Sequence, residues 1–404
     1  MTLVLALVVA VAGCSGDVDV KPPAAPRDQT SRDAGGAQEA LDELERALED
    51  RVASAAEEVA TSGAKDDLAA VAANAASLDL RDLSMRYVDE ADPLTSSEQS
   101  RFGDDAWSGD VELQYAIGGI DRTPARVETS VVFVPDGGRV RIAGFGAGNV
   151  RTPLWLVERL SVVRRGETVT AVAGATAGRY PGLVTRALAE VRRTLPAWRG
   201  PLVVEVPSSQ AELDAALESG ADKYDDIAAV TTTEDGSLAV GSPVRVFVNP
   251  AVFDKLADRG AQVVMSHEAT HVATGATFVS MPTWLLEGFA DYVALAHAGV
   301  PVALAAGQIL ARIRKKGLPE RLPTSADLDP SASGLGATYE EAWLACRFAA
   351  QQYGEPRLIA FYRAVSGGQK ERRAFPQVLG TTEKEFVRRW RADLAGLAGV
   401  PGGA

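Results

Sequence analysis

Two of the three histidines in this 404-residue sequence lie four positions apart, in the stretch His-Glu-Ala-Thr-His at 267–271. Apolar residues precede this stretch and Gly275 follows it, which predicts a helix that ends near Gly275. Positions i and i+4 share one helix face, so His267 and His271 can bind one tetrahedral zinc ion. Glu268, turned by about 100° from His267, then reaches a water molecule at the metal. The alternative is a helix whose two histidines only pack.

A catalytic zinc site needs a third protein ligand and leaves its fourth position to water. The best candidate is Glu287, within Pro-Thr-Trp-Leu-Leu-Glu-Gly-Phe-Ala-Asp-Tyr at 282–292. The His-Glu-x-x-His motif followed by Glu-Gly-Phe-Ala at 287–290 resembles the gluzincin-type zinc metallopeptidases of the peptidase MA clan. The resemblance is strong over 267–292 and extends loosely over about 152–390.

The resemblance implies one zinc ion per chain, with a set of residues in named roles. The implied metal ligands are His267, His271 and Glu287, the implied catalytic base is Glu268, and Asp291 matches the acid that orients the first zinc-binding histidine. Only 15 residues separate His271 from Glu287, which predicts a tight connection between the two helices. The sequence contains no Gly-Ala-Met-Glu-Asn motif for a substrate amine, so an endopeptidase is expected rather than an exopeptidase.

Two further candidates, Tyr339 and His297, follow Glu287 in the sequence. Tyr339 begins a predicted helix after a loop rich in glycine and serine, and gluzincin relatives often place the oxyanion donor at a similar distance. A packing tyrosine at a helix start is the alternative for Tyr339. His297 is ten residues past Glu287 and therefore about 80° off its helix face, which favours a structural role.

The N-terminal residues predict a targeting segment rather than part of a folded domain. Residues 2–12 are apolar and too short to span a bilayer, and the sequence Val-Ala-Gly-Cys at 11–14 resembles the lipobox of bacterial lipoproteins. Residues 1–13 are therefore interpreted as a signal peptide, Cys14 as the lipidated residue and 14–36 as a flexible tether. The expected location is extracytoplasmic, either lipid-anchored to a bacterial cell membrane through Cys14 or secreted. Cys346 then has no disulfide partner and is predicted to be a buried apolar residue.

Residues 37–150 are predicted to form a small α+β domain. A stripe of apolar residues from 38 to 59 predicts one helix and 66–76 a second, and alternating patterns predict strands at 111–117, 127–134 and 139–145. The element order is similar to the cystatin-like and nuclear-transport-factor-like folds. A spacer or a partner-docking role is expected, and the boundary is placed at 146–153.

Residues 152–404 are predicted to form a zincin-like, two-lobed metallopeptidase domain of the α+β class. A mixed-sheet lobe is expected from strands at 160–164, 168–173, 202–206, 227–231 and 244–248 with helices between them, and a helical lobe from 251 onward. The strand at 244–248 is the hypothesised sheet edge on which an extended peptide pairs.

These features together predict zinc-dependent hydrolysis of peptide or protein substrates at the outer face of the membrane. The formal net charge of −13 argues against nucleic acid as a partner. The alternative is a lipid-anchored binding or scaffold protein with a vestigial or structural zinc site. Glu268 argues against that alternative, because a structural site has no use for a carboxylate between its two histidines.

Overall fold

The computed structural model describes residues 33–220, 224–329 and 332–401. Cys14, the predicted signal peptide and nearly all of the predicted tether lie outside the described residues. The strands are β1 Leu80–Glu90, β2 Trp107–Ile117, β3 Ala125–Asp136, β4 Arg139–Phe145, β5 Leu160–Arg165, β6 Thr168–Ala173, β7 Leu202–Val206, β8 Ala229–Thr233 and β9 Val244–Val248.

The α-helices alternate with these strands in the first half of the chain and dominate the second half. They are α1 Ala34–Glu49, α2 Ala53–Glu58, α3 Lys65–Leu78, α4 Ser96–Phe102, α5 Leu154–Val157, α6 Tyr180–Thr194, α7 Gln210–Leu217, α8 Pro250–Phe253, α9 Asp258–Thr274, α10 Thr283–Ala296, α11 Val302–Ala305, α12 Gly307–Lys316, α13 Leu335–Tyr353, α14 Glu355–Ser366, α15 Glu371–Ala374 and α16 Glu383–Ala398. Among the described residues, no helix is both long and apolar enough to cross a membrane.

The first helix starts earlier and ends sooner than the sequence predicts. α1 begins at Ala34, because the Asp33 side chain accepts a hydrogen bond from the backbone N–H of Gly36 and caps the helix. The predicted tether to residue 36 therefore overlaps the first turn of α1. The prediction of a single helix through residue 59 is wrong, since the chain turns at Arg51, whose φ is 59°, before α2 begins.

The N-terminal unit, residues 33–150, stacks α1–α3 on a four-stranded antiparallel meander in the order β1-β2-β3-β4. Three of its strands lie where the alternating pattern predicts them, and they follow the helices α1–α3 in the chain. β1 is an addition that the sequence analysis missed. Most side chains of β1 are exposed. Its buried apolar residues, Leu83 and Met85, are too few to predict a strand from the sequence.

A second sheet of five strands has the order β5-β6-β7-β9-β8 and is mixed, as predicted. β6, β7 and β9 run parallel, whereas β5 and β8 are antiparallel to their neighbours. The hypothesis that 244–248 is the sheet edge is wrong, because β9 pairs with β7 on one side and β8 on the other. The edge strand on this side of the sheet is β8, which begins two residues later than its predicted start.

This sheet contributes to two hydrophobic cores because alternate residues along a strand face opposite sides. Val169 and Val203 pack with the helices and meander of the N-terminal unit. Val204 and Val246 pack on the other side with α6, α9 and the helical region that follows. The N-terminal unit is thus covered by the back of the sheet, and its core runs past the predicted boundary at 146–153 into Trp155.

The helical region from α9 onward lies against the front of the sheet. Its central contact joins α10 to α13, where a Cβ atom on Gly288 would lie 2.4 Å from the carbonyl oxygen of Ala342. Only glycine permits that approach, so Gly288 fixes the spacing of the two helices. Cys346, on α13, is completely buried, as predicted.

Candidate metal centre

The two motif histidines project from the middle of α9 toward the same point. This helix ends at Gly275 in the left-handed conformation, with a φ of 65°, so the predicted helix end is confirmed. The Nε2 atoms of His267 and His271 lie 3.0 Å apart, and the ring centroids are 4.7 Å apart. The i and i+4 spacing thus brings both ring nitrogens to one locus.

α10 brings the third predicted ligand to this locus after a tight turn that includes a 3₁₀ segment, Ala276–Phe278. Glu287 Oε2 lies 3.2 Å from Nε2 of His267 and 3.5 Å from Nε2 of His271. Adjacent ligands of a tetrahedral zinc ion, each about 2.0 Å from the metal, are about 3.3 Å apart. The three donor atoms therefore have the spacing and chemistry of a two-histidine, one-carboxylate zinc site, and all lie within 4.8 Å of one another.

Asp291 lies one helical turn beyond Glu287 and contacts the opposite nitrogen of His267. Its Oδ1 is 2.7 Å from Nδ1 of His267, and because a carboxylate only accepts, the ring must donate from Nδ1. In the neutral ring the lone pair then lies on Nε2, the atom that faces the candidate metal position, which is how an outer carboxylate fixes the tautomer and orientation of a ligand. Burial would lower the pKa of His267, but the charge and hydrogen bond of Asp291 raise it well above its usual value.

Glu268 is buried and lies on the neighbouring face of α9, where its carboxylate accepts a hydrogen bond from a residue that the sequence analysis did not single out. Thr231 Oγ1, on the edge strand β8, donates to Glu268 Oε2 over 2.6 Å. No local motif marks Thr231, because its role depends on how β8 and α9 meet. Hydrophobic periodicity places residue 231 in a strand, but it cannot indicate that contact.

The two glutamates of the centre have their pKa values moved in opposite directions. Burial raises the pKa of Glu268, and the nearby histidines and Thr231 offset only part of this rise. Burial would also raise the pKa of Glu287, but the charge of His271 and hydrogen bonds from both histidines bring it well below its usual value. Glu287 is therefore held as a carboxylate, while Glu268 is the more basic of the two.

Tyr339 lies in the first turns of α13, as predicted, and lines the same cavity as the histidines. Burial raises the pKa of its hydroxyl, and the charges of Glu287, Asp291 and Glu268 raise it further. The phenol is therefore protonated at neutral pH and available as a hydrogen-bond donor. His297 lies at the C-terminal end of α10 and is not among the described residues that group around the candidate metal position.

A cavity of about 430 Å³ opens over these residues. Its lining comprises residues 227–231, which include the start of β8, residues of α9 and α10, and Leu335 and Tyr339 of α13. Most of the remaining lining is apolar, from Val263, Val264 and Leu286. The candidate ligands, the candidate base and a sheet edge thus meet in one cleft.

No protein-family model matches the chain, and no curated protein matches it. Similar solved structures include an M1 zinc metallopeptidase from Deinococcus radiodurans, as a glutamate-to-alanine variant bound to a Tyr-Ser-Ala substrate, with 16% identity and a TM-score of 0.33. A structure of that variant without a named ligand has 15% identity and a TM-score of 0.33. A two-domain M1 zinc metallopeptidase variant bound to L-tryptophan has 16% identity and a TM-score of 0.31.

Each of these matches covers 71% of this chain and 61% of the neighbour, so the chain spans less than two thirds of those proteins. The overall likeness is distant.

Proposed function

We propose that the chain is a zinc-dependent peptidase, with one zinc ion held by His267, His271 and Glu287. The observation that carries the proposal is the convergence of three donor atoms at tetrahedral spacing, 3.0 to 3.5 Å apart, beside a buried glutamate. Asp291, bonded to His267 at Nδ1, adds the outer carboxylate that such sites use.

The residues around the ligands have the properties that peptide hydrolysis requires. Bound zinc acts as a Lewis acid toward a peptide carbonyl and lowers the pKa of water. Glu268, with its raised pKa, takes the proton of the attacking water and passes it to the leaving amine. Tyr339 donates a hydrogen bond to the oxyanion, a contribution of about 2.7 to 4 kcal/mol for one such donor.

The substrate is proposed to bind in extended form along β8. Within the described part of the chain this strand pairs with β9 alone, and its residues 229–231 line the cavity. An extended peptide on the other edge of β8 gains backbone hydrogen bonds and passes over the metal position. The apolar lining, Val263, Val264 and Leu286 in particular, favours an apolar side chain next to the cleaved bond.

Cleavage within a chain, rather than at its amino terminus, is proposed from the charges of the cleft. The carboxylates among its described lining residues are Glu268, Glu287 and Asp291, and each already has a role at the metal. No other described carboxylate of the lining is available to pair with a free terminal amine. An endopeptidase fits this arrangement.

The proposed location is the outer face of a bacterial cell membrane, through a lipid on Cys14. The support is the Val-Ala-Gly-Cys sequence at 11–14, which follows an apolar stretch. Replacing Cys14 with serine is expected to move the protein from the membrane fraction to the soluble fraction. Metabolic labelling with a palmitate analogue checks this, and equal labelling of both forms would exclude Cys14 as the anchor.

Zinc content and turnover together test the proposed activity against the scaffold alternative. Wild type is expected to hold about one zinc per chain and to cleave unstructured peptides, whereas His271→Ala loses both. Glu268→Gln is the matched control, because it preserves the ligands and removes only the proton carrier. Full zinc without turnover in this variant supports hydrolysis, while zinc without turnover in wild type would favour the scaffold.

A further inference from the structure

The edge strand that faces the metal centre belongs to a hairpin, β8–β9, whose far side touches the N-terminal unit. Near the cleft, Thr231 of this hairpin holds the carboxylate of Glu268. On the back of the sheet, Arg245 of β9 pairs with Thr232 of β8, which is the residue next to Thr231. The hairpin therefore links the cleft to whatever surrounds Arg245.

Arg245 is buried to 1% exposure, and the N-terminal unit supplies the side chain that receives its guanidinium hydrogen bonds. Asp121 accepts from Nη1 over 2.9 Å and from Nη2 over 2.6 Å. Glu205 and Glu234 lie farther away, 3.7 and 3.5 Å from Nε. A bidentate pair of this kind fixes orientation as well as charge, and its geometry matters most when both partners are buried.

Two more contacts join the N-terminal unit to the same hairpin. Tyr115 of β2 donates a hydrogen bond to Glu234, the residue directly after β8. Thr123, in the loop between β2 and β3, donates to the backbone carbonyl of Gly241 in the hairpin turn. The hairpin is thus held from behind at β9, at the residue that follows β8 and at its turn.

We propose that the N-terminal unit is a positioning element of the metal centre, acting through the Asp121–Arg245 and Tyr115–Glu234 contacts on the β8–β9 hairpin. The inference rests on the proposed function, because the hairpin matters to turnover only if β8 binds the substrate. It replaces the expected spacer role of this unit with an effect on the edge strand β8 that is transmitted through the rest of the hairpin. Asp121 and Tyr115 are positioning residues, since neither reaches the cleft.

Asp121→Asn tests the proposal, with Asn74→Ala as the matched control. Asn74 is also buried and also joins the two parts of the chain, donating to the Trp155 carbonyl over 2.9 Å and accepting from Leu160 N–H over 3.0 Å. It acts next to β5, at the opposite edge of the sheet from β8. Tyr115→Phe is a second, milder variant in case Asp121→Asn folds poorly.

We expect Asp121→Asn to raise KM for a peptide substrate by about tenfold, the scale of one lost charge-assisted hydrogen bond, with zinc content unchanged. Asn74→Ala is expected to lower the melting temperature but to leave KM as in wild type. Equal KM values in wild type, Asp121→Asn and Tyr115→Phe would overturn the proposal and leave the contacts purely structural.

Hydrogen exchange provides a readout that does not depend on catalysis. Amides of the hairpin, residues 229–248, are expected to exchange faster in Asp121→Asn than in Asn74→Ala, while amides of α9 stay protected in both. Equal hairpin exchange in the two variants would refute the coupling even if the protein cleaves peptides. Faster hairpin exchange in a protein that binds no zinc would instead support the coupling and refute the proposed function.

Discussion

At the scale of single residues, Glu268 and Glu287 show how the surroundings of a glutamate determine its role in the cleft. Both are close to the histidines, but hydrogen bonds from both rings reach Glu287, whereas Glu268 faces Thr231 and the cavity. The charged form of Glu287 is therefore stabilised more strongly, which suits a metal ligand. Burial holds the pKa of Glu268 above its usual value, which makes Glu268 the stronger base of the two.

Asp291→Asn is expected to weaken zinc binding by about 10 to 100-fold, because His267 would lose the carboxylate that holds its tautomer. Zinc affinity measured by competition with a chelator checks this expectation. Glu355→Gln is the control, since Glu355 binds the hydroxyl of Tyr292, the next residue on α10, away from the ligands. Unaltered affinity in Asp291→Asn would remove Asp291 from the metal centre.

Thr231→Val is expected to keep zinc and lower kcat by about tenfold or more, because the shape is preserved while the hydrogen bond to Glu268 is lost. Steady-state kinetics with zinc analysis measures the effect. Thr231→Ser, which restores a hydroxyl, should recover most of the rate. A Ser variant as slow as the Val variant would indicate that the methyl packing of Thr231, and not its hydroxyl, supports turnover.

At the scale of elements, close packing of α10 on α13 relates the metal ligands to Tyr339. Gly288 sits directly after Glu287, and Ala342 lies one turn beyond Tyr339 on α13. Gly288→Ala is expected to destabilise the fold by about 1 to 3 kcal/mol through overpacking, and to displace Tyr339 from the cleft.

Urea unfolding with kinetics checks the Gly288→Ala prediction, with Gly396→Ala on α16 as the control. A Cβ atom there meets nothing within 4 Å. A Gly288→Ala protein as stable and as active as wild type would show that the two helices can separate freely.

Glu341, on α13, has its pKa raised to about 7, because burial outweighs its ion pair with Arg312 of α12. A folded-state pKa above the unfolded value of 4.5 adds stability at low pH that is lost as pH rises through about 7. Between pH 5 and 8 the unfolding free energy of wild type should therefore fall by about 2.5 kcal/mol more than that of Glu341→Gln.

Urea titrations at both pH values measure this slope. Glu385→Gln is the control, because hydrogen bonds from Arg388 and Arg389 bring the pKa of Glu385 down to about 2, far below that interval. The same slope in wild type and Glu341→Gln would show that Glu341 is already ionised at pH 5.

The sequence predicts where single helices and strands lie better than it predicts which of them are adjacent in the fold. Strands at 168–173, 202–206 and 244–248 match the structure because each consists mostly of β-branched residues and is buried on both faces. Strand order is not encoded in that pattern, so β9 was placed at the edge although β8 lies outside it. The ligands were found because the spacing of a helix is local, while Thr231 and the contacts of Arg245 depend on pairing across the chain.

At the scale of the whole molecule, the five-stranded sheet is shared by two cores. Val203 belongs to the core of the N-terminal unit and Val204, the next residue, to the core of the helical region. Asp121 and Arg245 add a buried ion pair across the same junction. Neither part can therefore unfold without exposing apolar surface or a buried charge of the other.

The protein is accordingly expected to unfold in one cooperative transition, although its 404 residues exceed the usual size of a single cooperative domain. Differential scanning calorimetry checks this by comparing the calorimetric enthalpy with the van't Hoff enthalpy, which agree when two parts melt together. Far-ultraviolet circular dichroism and tryptophan fluorescence should then report the same midpoint. Two resolved transitions in wild type would mean that the N-terminal unit is an independent domain whose contacts with the sheet contribute little to stability.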